Sequence, residues 1–157
     1  MTRIRRRALF ALTATLPLAA AGFAMLPRGA GATQPVFAED GIAVRGTDVV
    51  AYFTDGRPVA GRAEFTHAWR GATWRFASAA NRDLFAAAPE RYAPAYGGYC
   101  AWAVAEGYTA PIDPAAWKIV DGRLFLNFSA SVQRTWERDI PGNITKADTN
   151  WPRLASR

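Results

Sequence analysis

Sulfur and imidazole are scarce in this sequence. Its 157 residues include one cysteine (Cys100), one histidine (His67) and two methionines (Met1 and Met25). A lone cysteine builds neither an intramolecular disulfide framework nor a multi-thiolate zinc site. Without a Cys-x-x-Cys arrangement, two-thiol exchange within one chain is excluded as well. A glycine-rich dinucleotide fingerprint is also missing, so the sequence indicates no nicotinamide or flavin cofactor. The carboxylates are scattered and no nucleophile elbow surrounds a serine, which leaves hydrolysis without machinery. Acidic residues are absent from positions 1–32, where five arginines account for most of the net charge of +6. The other 125 residues carry 14 basic and 13 acidic side chains, too balanced for a nucleic-acid footprint. Half the chain is hydrophobic and a fifth is charged, which suits one folded domain and not a disordered chain.

Residues 1–32 have the make-up of an export signal. Basic residues Arg3, Arg5, Arg6 and Arg7 precede an apolar run from Ala8 to Leu26. Ala30-Gly31-Ala32 then offers a small-residue cleavage point before Thr33. Arg6-Arg7-Ala8-Leu9-Phe10 has the twin-arginine pattern, with an ordinary secretory signal as the simpler alternative. Ala8–Leu26 approaches the length that spans a bilayer, so an uncleaved anchor is a further alternative, weakened by Pro17 and Gly22. The expectation is a periplasmic protein with no stable membrane insertion after cleavage, in which residues 33–157 form a single domain with a C-terminal extension.

Within that domain, Asp48 can cap a helical turn over Val49–Phe53 that ends at Asp55-Gly56. Glu64–Trp69 and Thr73–Phe76 alternate with period two around Arg70-Gly71, which predicts a β-hairpin. Ser78 is placed to cap a helix over Ala79–Ala87, and Pro89 punctuates its end. Gly97-Gly98 opens a candidate helix over Tyr99–Glu106, closed by Gly107. Two apolar strands, Trp117–Val120 and Arg123–Phe128, flank Asp121-Gly122, a strong hairpin signal. Ser129 or Ser131 caps a further helix through Val132, Trp136 and Ile140, broken at Pro141-Gly142 before a last helical stretch toward Trp151-Pro152. Interspersed hairpins and helices predict an α+β fold. No internal repeat is evident.

Trp74-Arg75-Phe76-Ala77-Ser78, Phe85 and Pro89-Glu90-Arg91-Tyr92, with His67 upstream, resemble the YHS-domain family. Asp48–Phe53 and Tyr96-Gly97-Gly98-Tyr99-Cys100-Ala101-Trp102-Ala103 look like the exported branch of YHS-domain (seleno)proteins, some of which carry selenocysteine where this chain has Cys100. The resemblance implies a YHS-like fold and marks Cys100. It departs at the cysteines of metal-associated members: this chain has Ala77 and Asn81 in the strand-to-helix segment and Ala51-Tyr52 near the domain start, so a multi-cysteine metal site is not implied.

Cys100 is the leading candidate for catalysis, because an unpaired thiol in an oxidising compartment is easily captured. Gly97 and Gly98 permit a sharp turn before it, and a place in the first helical turn would favour the thiolate. His67 is the candidate base or hydrogen-bond partner, and Tyr99 and Trp102 are candidate supports, Trp102 as a shield for the sulfur. The expected chemistry is a one-cysteine cycle through a sulfenic acid or mixed disulfide, resolved by an external small or protein thiol. Alternatively, Cys100 and His67 belong to a soft-metal site of copper type, with other ligands supplied elsewhere. A third reading is a non-catalytic interaction domain in which Cys100 is a buried small hydrophobe and His67 a half-buried strand residue. Trp69, Trp74, Trp102, Trp117, Trp136 and Trp151 are expected mainly in the core.

Overall fold

The computed structural model describes residues 34–157; the export signal assigned to 1–32 lies outside them. The fold is α+β. Two short strands, β1 (Ala38–Glu39) and β2 (Ile42–Ala43), form a hairpin at Asp40-Gly41 that is too brief to announce itself in the sequence. Next come α1 (Ala51–Thr54), the hairpin β3 (Arg62–Trp69) and β4 (Ala72–Phe76), α2 (Ala79–Ala87) and α3 (Pro89–Tyr92). A 3₁₀ turn over Ala95–Gly98 leads into α4 (Ala101–Ala105). A second hairpin, β5 (Asp113–Val120) and β6 (Arg123–Asn127), precedes α5 (Ala130–Trp136) and α6 (Ile140–Ala155). The first sheet has the order β1-β2-β4-β3, with β2 parallel to β4 and the other pairs antiparallel. β5 and β6 form a separate antiparallel pair.

Local chemistry accounts for most of these boundaries. Arg70-Gly71 and Asp121-Gly122 have positive φ at both positions, the backbone twist that a two-residue hairpin turn needs. Ser78 accepts the Asn81 amide and Ser129 the Val132 amide, so each serine satisfies an orphan N–H at its helix start. The layout repeats even though the sequence does not. In both cases a hairpin is followed by a capping serine, and the helix buries one residue seven positions later, Phe85 in α2 and Trp136 in α5.

Two helical boundaries differ from the sequence reading. The helix expected over Tyr99–Glu106 shrinks to Ala101–Ala105 and places Cys100 at its N-cap, ahead of the first turn. Pro141-Gly142 starts α6 instead of breaking a helix, because proline suits a first turn and the Asp139 carboxylate accepts the Gly142 amide there.

The core has two clusters. Phe85 meets Trp74 and Phe76, each with ring centroids 5.0 Å away, in the larger cluster, which also holds Cys100. Phe125 and Trp136, 5.3 Å apart, centre the smaller one, which packs against α4 and α6. Trp74 and Trp136 are buried, as expected of core tryptophans. Asn150 on α6 donates its amide to the carbonyls of Val104 and Ala105, closing the C-terminal end of α4.

Candidate functional site

The path to Cys100 is set by glycine. Gly97 has φ +61°, and a Cβ there would overlap the Pro35 carbonyl oxygen, so only glycine lets the two backbones meet. The Phe37 amide donates to the Gly97 carbonyl at 2.9 Å and fastens that approach. Gly98, at φ +87°, completes the reversal beside Val44 and Pro94. The Cys100 amide then donates to the Ala110 carbonyl, anchoring the residue at the head of α4.

Cys100 is buried, with 1% of its surface accessible. Its thiol donates to Asn127 Oδ1 at 3.7 Å, and its sulfur accepts the Phe128 amide at 3.3 Å. The amides of Trp102 and Ala103 face the sulfur and favour its charged form, although neither closes a cap hydrogen bond to it. Trp102 N–H is committed to Asn127 Oδ1 at 3.1 Å. Burial outweighs these donors and pushes the thiol above its ordinary range. This corrects the expectation that the helix start favours the thiolate: desolvation opposes the anion more strongly than the few amides support it.

Cys100 nevertheless lies beside open space. Cys100 lines a cavity of about 210 Å³ together with Trp102, Ala103, Tyr108, Ala110, Phe128 and Val132. Every other side chain in that wall is apolar or aromatic. Tyr108 and Phe128 are both about half exposed, at 52% and 53%, which is unusual for large rings and leaves them at the rim. Val132 reaches the wall from α5, so the cavity draws on α4, its C-terminal connection and the start of the second helix unit.

The other sequence-predicted site residues divide. Trp102 shares the cavity with Cys100. Tyr99 packs instead on Phe37 and Trp151, with centroids at 5.6 and 6.0 Å, and burial raises its phenol. His67 is half-buried on β3, edge-on to Phe85 at 5.9 Å, and makes no hydrogen bond to Cys100 among the described residues. The expected Cys100–His67 pair is therefore not formed. β3 is the outer strand of the first sheet, whereas Cys100 is held by the residues at the end of β6.

The soft-metal alternative would need ligands from a second molecule. Among the described residues, no group of three or more His, Cys, Asp or Glu side chains could hold an ion. The positions where the resemblance would place metal cysteines are occupied by a different device. Asp48 is fully buried, and its Oδ1 accepts the Val50 and Ala51 amides while Oδ2 accepts the Ala77 amide and Asn81 Nδ2, at 2.8–3.2 Å. Four donors compensate the desolvated carboxylate and tie α1 to the β4–α2 junction.

Sequence reasoning missed Asn127, Phe128 and Tyr108. One signal was available for Asn127, a lone amide in the apolar run Leu124–Phe128, because a polar group inside a buried strand needs partners. Its Oδ1 found two, whereas its Nδ2 is buried without one.

Residues 50–96 match the family model described as YHS domain. No curated protein and no solved structure matches the chain. That segment runs from the start of α1 to the 3₁₀ turn before Cys100, and over it the chain is similar to the YHS domain.

Proposed function

We propose that this is an exported, periplasmic YHS-domain protein whose single cysteine carries out redox or nucleophilic thiol chemistry on a small uncharged substrate inside an apolar cavity. The observation that carries the reading is the position of Cys100 in the wall of that 210 Å³ space, which the half-exposed Tyr108 and Phe128 also line. Burial keeps the resting thiol protonated, which protects it from stray charged oxidants. The Phe128 and Ala103 amides supply a partly preformed environment for negative charge once the proton leaves.

In the oxidative version, sulfur attacks the terminal oxygen of a hydroperoxide. The O–O bond breaks, Cys100 becomes a sulfenic acid, and the thiol proton leaves with the alcohol product. An external thiol then displaces water to give a mixed disulfide, and a second thiol restores Cys100 as an external disulfide forms. His67 has no part in this scheme. Twin-arginine export would deliver the domain already folded, with its cavity formed.

The test is modification of the native protein by methyl methanethiosulfonate and by its trimethylammonium-ethyl analogue, followed by mass. The neutral reagent should react at least about tenfold faster, with a rate that climbs into the alkaline range instead of levelling near neutrality. Labelling only after unfolding would remove the proposal and leave a packing role. Copper bound at one equivalent and lost in Cys100→Ser would favour the metal reading through ligands from a second molecule.

A further inference from the structure

A second cleft, of about 350 Å³, opens between the turns of the two long hairpins, and Cys100 does not line it. Its walls include Trp69 and Arg70 from the first hairpin, Glu90 and Arg91 from α3, Arg123 from the second hairpin and Trp151 from α6. Gly122 at the second turn has no neighbour within 4 Å of where a Cβ would stand, so that side of the cleft is unobstructed. The volume falls within the range of small-molecule sites.

The charges leave one cation in excess. Arg70 is paired with Glu90 at 3.1 Å, its guanidinium 4.4 Å from the Trp69 ring centroid. Arg123 gives two hydrogen bonds to the Asp148 carboxylate, at 2.9 and 3.2 Å. Arg91 makes no ion pair among the described residues; its guanidinium stands 5.5 Å from the centroid of the neighbouring Tyr92. The Arg70–Glu90 pair is exposed and so holds Arg70 only weakly, leaving it able to turn toward an added anion. The indoles of Trp69 and Trp151 are both in the lining and offer apolar surface to a flat body.

We propose that this cleft binds a small monoanion with a planar hydrophobic body, an aryl carboxylate, its carboxylate on Arg91 and its ring against the indoles that line the cleft. The site is independent of the thiol chemistry. It also straddles the C-terminal boundary of the family segment, since Arg91 lies within residues 50–96 and Arg123 and Trp151 lie beyond them.

Calorimetric titration of the folded protein with 2-naphthoate and indole-3-acetate, each beside its neutral amide, tests the assignment. The acids should bind at least about tenfold more tightly than the amides, the margin expected of a charge-assisted guanidinium contact. Arg91→Gln should reduce that preference to about twofold or less, whereas Arg57→Gln, an exposed arginine elsewhere, should leave it unchanged. Equal affinity for acid and amide would overturn the proposal. So would the absence of saturable binding of both acids up to about 10 mM, or an equal effect of the two substitutions.

Discussion

The two hairpin–helix units put different chemistry at the same structural station. In the first, Asp48 stands just ahead of α1, faces the amides two and three residues on, and receives the Ala77 amide from the end of β4. In the second, Cys100 stands just ahead of α4, faces the amides two and three residues on, and receives the Phe128 amide from the end of β6. The residue after each of these strand-end donors is the capping serine, Ser78 or Ser129. A carboxylate with four donors is a closed structural knot. A thiol has weaker hydrogen bonds and a larger, softer atom, and here it borders a cavity while the neighbouring Asn127 Nδ2 has no partner. The first station commits all its polar capacity to folding, and the second leaves one buried donor without a partner.

Substitution should separate the two units' shared framework from their differing poles. The largest losses belong to the aromatic residues that both units bury: Phe85→Ala and Trp136→Ala should each cost about 3–5 kcal/mol in urea unfolding. A small loss at either would mean that its helix is not seated by that ring. Asp48→Ala comes next, at about 3 kcal/mol, because it strands buried N–H donors from three parts of the chain. Asp48→Asn should recover only part of this, since one of its positions then presents a donor to donors.

Cys100→Ala should cost only about 1–2 kcal/mol and Cys100→Ser less than about 1, both folding with a native circular-dichroism spectrum. If Cys100→Ala proved as damaging as Asp48→Ala, the stations would be equally structural and the thiol reading would lose its basis. The smallest effect is a pH dependence. Burial raises the folded thiol's pKa above its unfolded value, so the folded form keeps its proton longer. That contribution is complete below the ordinary thiol range and disappears as pH rises through the folded value. Between about pH 8 and 10, wild-type stability should therefore fall more steeply than that of Cys100→Ala. Parallel curves would show that the thiol is not desolvated.

Much of this framework is legible in the sequence because it is written locally. Arg70-Gly71 and Asp121-Gly122 mark their own turns, and Ser78 and Ser129 reach donors only three residues away. The poles are not legible, because their partners are remote. Asp48 reads as the cap of a neighbouring turn, yet half of its bonds go to Ala77 and Asn81. The Cys100 environment depends on Asn127 and Phe128, and no spacing rule links them to a glycine turn nearly thirty residues earlier. His67 attracts notice through its rarity, but strand order places it on the other sheet from the residues that hold the sulfur.

The clasp of Asn150 on the end of α4 bears on where this protein can be cut. Five residues are too few to hold a helix unaided. A fragment ending with the family segment would lack the cysteine, and one ending before α6 would keep it on a peptide with little reason to stay coiled. Anyone transplanting the thiol pocket into another scaffold would have to carry the tail along with it.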